Sequence, residues 1–100
     1  MNKIYISGKI TGIEKEAPAL FEKAEKELLA SGFDAVVNPI TLNHDHHDKS
    51  WHSYMREDLK AMLDCQSIYM LSNYKESKGA IIELQIANLI GIKVIYENEC

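Results

Sequence analysis

Residues 67–96 read SIYMLSNYKESKGAIIELQIANLIGIKVIY, and the way this stretch divides decides the fold. Positions 67–71 form a short apolar run of strand length, ended by the polar loop 72–76. From 77 to 90 the apolar residues recur at helical spacing, Gly91 closes the run, and 92–96 is again short and apolar. Strand, loop, helix and strand in that order make a β-α-β unit, whose two strands lie parallel in one sheet.

The same alternation extends toward the N-terminus. Lys3, Ile4, Tyr5, Ile6 and Ser7 read as a buried strand, followed by the loop Gly8-Lys9-Ile10-Thr11-Gly12. Pro18 opens a helix, where its missing N–H is harmless. Leu20, Phe21, Ala24, Leu28 and Leu29 form the apolar stripe of that helix, and Gly32 caps its end. Positions 33–37 are a second strand, stopped by Asn38-Pro39. The stretch 41–50 is polar and irregular, and a helix over 51–63 then turns Trp51, Tyr54, Met55, Leu59 and Met62 inward. The expectation is one domain over 1–100 with a flavodoxin- or Rossmann-like α/β fold. Its doubly wound, four-stranded parallel sheet has order 2-1-3-4 and carries three helices. Ligands of such sheets bind outside the carboxyl ends of the strands, beside the point where strand order reverses. The loops at that edge are 8–12, Asn38-Pro39 and 72–78.

Composition narrows the function classes. One hundred residues with 46% hydrophobic content suit one small domain, and a chain of this size points to a homodimer or larger homo-oligomer. The net charge of −4 and the lack of a Lys/Arg run argue against binding a nucleic-acid polymer. Cys65 and Cys100 give no disulfide framework. No apolar run reaches the length of a membrane span and the first residues already form a strand, so a soluble cytoplasmic protein is expected.

Two carboxylates break the apolar pattern. At roughly 100° per residue, Glu83 falls within about 60° of Gly79, Ala80, Ile86, Ala87 and Ile90. On the preceding helix Asp58 lies equally close to Trp51, Tyr54, Met55, Ala61 and Met62. A carboxylate in an apolar stripe loses hydration, which costs free energy unless it is paired, hydrogen-bonded or protonated. Groups placed at such a cost are often chemical. The plainer readings are a Glu83 bonded to a nearby backbone or hydroxyl group, and an Asp58 that pairs with Arg56 or Lys60 or caps a neighbouring helix. Two inward carboxylates nonetheless suit a division of labour between nucleophile and acid, base or substrate anchor.

The loop from Ser7 through Gly8, Lys9, Ile10 and Thr11 to Gly12 offers an anion close backbone approach, a hydroxyl and an ammonium; a tight turn is the plainer reading. Ser77 suits an N-cap, and its helix N-terminus also suits an anion. His44-Asp45-His46-His47-Asp48, with His52 nearby, has poor spacing for a tetrahedral metal site, so a solvated loop is expected and no metal. The alternative is that His47 or His52 approaches the ligand, since the loop follows the second strand at the site edge.

Three motifs in order carry a family resemblance: Tyr5-Ile6-Ser7-Gly8-Lys9-Ile10-Thr11-Gly12, Met55-Arg56-Glu57-Asp58-Leu59 and Ser77-Lys78-Gly79-Ala80-Ile81-Ile82-Glu83-Leu84. Together they resemble the nucleoside 2-deoxyribosyltransferase superfamily, within it a small branch of uncharacterised domains and next the deoxynucleoside 5'-monophosphate N-glycosidases. The resemblance implies that Glu83 is the nucleophile on the anomeric carbon of a nucleoside sugar. It further implies that Asp58 contacts the sugar hydroxyl, that Tyr5 stands beside the nucleophile, and that the loop of Gly8, Lys9, Ile10, Thr11 and Gly12 holds a phosphate. Asn38, Ser77 and Gly79 complete the expected substrate contacts, with no cofactor. Ser77 stands where the transferases carry an aspartate and the N-glycosidases a serine, which favours a nucleotide. Thr11 stands where the N-glycosidases carry an arginine and Lys9 where they carry a serine, which leaves Lys9 as the loop's charge. The expected function is N-glycosidic bond cleavage or transfer on a nucleoside or its 5'-monophosphate. A non-catalytic nucleotide-binding module is the alternative, and a ligand-free interaction domain is disfavoured by the two carboxylates.

Overall fold

The computed structural model describes residues 1–42 and 50–97. Its strands are β1 (Lys3–Ser7), β2 (Ala35–Val37), β3 (Ser67–Met70) and β4 (Lys93–Tyr96). Its helices are α1 (Ala17–Ala30), α2 (Pro39–Leu42), α3 (Trp51–Leu63) and α4 (Lys78–Ile90), with a 3-10 turn over Tyr74–Glu76. All strands are parallel in the order β2-β1-β3-β4. The sheet is the expected doubly wound one, and strand order reverses between β1 and β3.

Local chemistry accounts for the element ends. The α1 C-terminus closes in a Schellman motif: the Phe33 N–H donates to Leu28 O at 3.3 Å and the Gly32 N–H to Leu29 O at 3.2 Å. Gly32 takes φ 110°, where a Cβ would be strained. Phe33 is thereby consumed by the cap, and β2 is shorter at its start than the expected 33–37. The fourth helix corrects the expectation of three. Pro39 supplies a fixed φ at the start of α2, and the Asn38 carboxamide oxygen accepts the Ile40 N–H at 3.0 Å. The residues that stop β2 therefore also start a one-turn helix. Ser50 caps α3 by accepting the Ser53 N–H at 3.2 Å.

The pleat of β1 divides the core between the two faces of the sheet. Ile4 and Ile6 pack with Ala17, Phe21, Ala24 and Leu28 of α1. Tyr5 packs on the other face with Met62 of α3 and Ala80 and Ala87 of α4. Leu20 and Leu29 of the expected α1 stripe are instead exposed. Among the described residues, no helix is long and apolar enough to cross a membrane.

Candidate active site

Ser7 lies two residues beyond Tyr5 on β1, so both side chains project from the face that α4 covers. The buried residues of α4 are Ala80, Glu83 and Ala87, at helical spacing. Small side chains on either side of Glu83 let the helix lie close to the strand ends. Ile90, expected in the same stripe, is 54% exposed.

The Tyr5 hydroxyl donates to Glu83 Oε2 at 2.8 Å, and the Ser7 hydroxyl donates to Glu83 Oε1 at 2.6 Å. Glu83 itself is 4% exposed. Burial pushes its carboxyl up to about 7, against the two hydroxyl donors, which pull it down; the nearby charge of Asp58 adds to the rise. Burial likewise carries the Tyr5 phenol well above its ordinary range, with the charges of Glu83 and Asp58 next in effect. Glu83 is thus a carboxyl that changes charge near neutrality while held through both oxygens.

On α3 the buried residues are Met55, Asp58 and Met62, so Asp58 is inward as its spacing predicts. It is 9% exposed and lines the same cavity as Glu83. This cavity of about 750 Å³ opens at the carboxyl ends of β1 and β3. Tyr5, Ser7, Asp58 and Glu83 form its buried polar part, and Ile10, Ile40, Trp51 and Met55 contribute apolar wall.

The structure brings to this cavity Tyr5, Ser7, Gly8, Lys9, Ile10, Thr11, Asp58, Ser77, Gly79 and Glu83 from the sequence expectation. Gly12 and Asn38 do not line it. Asn38 is buried in structural work, donating to Glu25 Oε1 at 3.1 Å while starting α2. Gly12, at φ 92°, donates its N–H to Glu14 Oε2 at 3.1 Å. The Lys9 N–H is also committed, to Asn73 Oδ1 at 3.0 Å. Two amides of the loop therefore serve side chains of the protein, and its readiest charge for an anion is the Lys9 ammonium. That ammonium lies 3.7 Å from Glu76 Oε1, in a loose pair whose glutamate is 68% exposed. Ser77 does act as an N-cap, accepting the Ala80 N–H at 3.1 Å, and it lines the cavity as well.

Gly8 and Gly79 are small for steric reasons. A Cβ on Gly8 would stand 2.7–2.9 Å from Leu71 side-chain atoms, and one on Gly79 would stand 2.9 Å from Met55 Sδ. Sequence reasoning missed the bond from Ser7 to Glu83, although the two-residue period linking Ser7 to Tyr5 carried the signal. It also missed Glu14 and Glu76 at the cavity, since exposed acidic residues in loops carry no periodicity. The His44-Asp45-His46-His47-Asp48 segment lies outside the described residues.

No curated protein and no solved structure matches the chain. Residues 2–96 match the family described as a domain of unknown function (DUF4406), and the chain belongs to that family.

Proposed function

We propose that the protein breaks the N-glycosidic bond of a nucleoside or nucleoside 5'-monophosphate, passing the sugar to water or to a second base, with Glu83 as nucleophile. One observation carries this reading: a buried glutamate gripped through both oxygens by Tyr5 and Ser7 in a cavity that a second buried carboxylate, Asp58, also lines. A volume near 750 Å³ suits a small-molecule ligand of nucleotide size.

In this reading the ionised Glu83 attacks the anomeric carbon as the carbon–nitrogen bond breaks. The bond's electron pair leaves with the base, which takes up a proton, and a glycosyl ester of Glu83 forms. Water or a second base then attacks the same carbon and releases the carboxylate. The sugar passes through an oxocarbenium-like state, which the negative charge of Asp58 favours. The two hydroxyl donors fix the direction of the carboxylate before attack, so less ordering remains for the reactive step. Lys9 suits the phosphate of a monophosphate, exchanging its loose contact with Glu76 for a dianion. The resemblance in the three motifs supports the same assignment of Glu83, Asp58 and Tyr5.

The test is base release from a panel of nucleosides and their 5'-monophosphates, with and without a second base, by wild type and Glu83→Ala. Release that disappears in Glu83→Ala supports the reading. Equal release by both proteins refutes the nucleophile, and no release from any member refutes the activity.

A further inference from the structure

The catalytic assignment leaves one wall of the cavity without a role. Trp51 is the chain's single tryptophan and opens α3. It lines the cavity yet is 36% exposed, whereas Met55, one turn on, is buried. The indole is steadied from two helices. The His52 ring meets it edge-on at 5.5 Å, and the Lys78 ammonium of α4 lies 4.8 Å from its centroid. Gly79 lies against the same wall, where a Cβ would stand at ordinary contact distance, 3.9 Å, from Trp51 Cζ2.

From this wall we infer that Trp51 is the platform on which the planar base of the ligand stacks, which makes it a specificity-determining residue of the site. The inference rests on the proposed reading that the ligand carries a nucleobase. The hydroxyl and carboxylate groups of the cavity suit a sugar, but a flat heterocycle needs a flat, polarisable surface. Tyr5, also in the lining, is only 1% exposed, with its ring packed in the core, so it has no face to offer. Trp51 has exposed ring surface, and stacking a base on an indole is stronger than holding a hydrated ammonium over it. The base therefore takes the place of the Lys78 ammonium over the ring. Because a stack tolerates every base, Trp51 selects ligands with an aromatic ring over sugar phosphates that lack one.

The single tryptophan makes the test direct. Wild-type emission is titrated with adenine, guanine, cytosine and thymine and with 2-deoxyribose 5-phosphate, and calorimetry follows the same compounds on wild type, Trp51→Ala and Trp51→Phe. The expected result is saturable quenching by a base but not by the sugar phosphate. Trp51→Ala should lose roughly 5- to 150-fold in base affinity, the range that one stacked base supplies, and Trp51→Phe should recover most of it. A base that binds without changing the emission, and binds Trp51→Ala equally well, overturns the platform while leaving the proposed function standing. Failure of every base to bind wild type, together with no base release from the nucleoside panel, overturns both.

Discussion

Replacing Glu83 by glutamine tests the burial of this carboxyl through stability rather than activity. A rise from 4.5 to about 7 means that the ionised form carries about 3 kcal/mol of burial cost. At low pH the carboxyl is protonated in both the folded and the unfolded chain, and no cost appears. As pH rises from 4.5 toward 7 the unfolded chain releases the proton while the folded one keeps it, so the wild type loses stability through that window. Above about pH 8 both are ionised and the loss is complete. Glutamine keeps the shape without the titration. Its carbonyl still accepts one hydroxyl, and its amide donates to the other, at an offset of about 1 kcal/mol that does not depend on pH. Glu83→Gln should therefore gain on the wild type by about 2–3 kcal/mol between pH 5 and pH 8. In a domain of this size, that corresponds to a relative gain of roughly 10–20 °C in melting temperature. Urea unfolding followed by circular dichroism at several pH values measures the gap. A gap that stays constant from pH 5 to pH 8, or one that narrows, refutes the account of a buried, titrating Glu83.

Three further changes probe the groups around it. Tyr5→Phe removes a donor that pulls the Glu83 carboxyl down, so the acidic limb of the pH–rate profile for base release should move to higher pH; an unmoved limb refutes the role of that bond. Glu76→Gln releases Lys9 from a solvent-exposed pair worth at most about 1 kcal/mol. Affinity for a 5'-monophosphate should then rise by up to about fivefold with nucleosides unaffected, as calorimetry would show. Gly8→Ala drives a Cβ to within 2.7–2.9 Å of Leu71 and should cost about 1–3 kcal/mol in urea unfolding, whereas a neutral result would mean that β1 and the loop after β3 yield more than their packing implies.

Much of the frame was present in the sequence because it depends on local order. The run from Ser67 to Tyr96 has strand and helix periods of its own, and Ser77, Gly32 and Gly91 mark helix ends by chemistry that acts over a few residues. Glu83 and Asp58 were visible because each interrupts a helical stripe, and both are buried. Asn38 shows the limit of that reasoning. Its position after β2 placed it at the ligand edge, but Glu25, thirteen residues earlier in sequence, receives its amide. Trp51 and Leu20 were assigned inward by the same angular rule that succeeded for Met55 and Phe21, yet both remain exposed. Angle on a helix identifies a face, and only the packed neighbours decide how far that face is covered. The grip on Glu83 is the clearest product of tertiary structure. Tyr5 and Ser7 lie 78 and 76 residues from it, and only the parallel pairing of β1 with β3, with α4 laid across that face, brings two hydroxyls to one carboxylate.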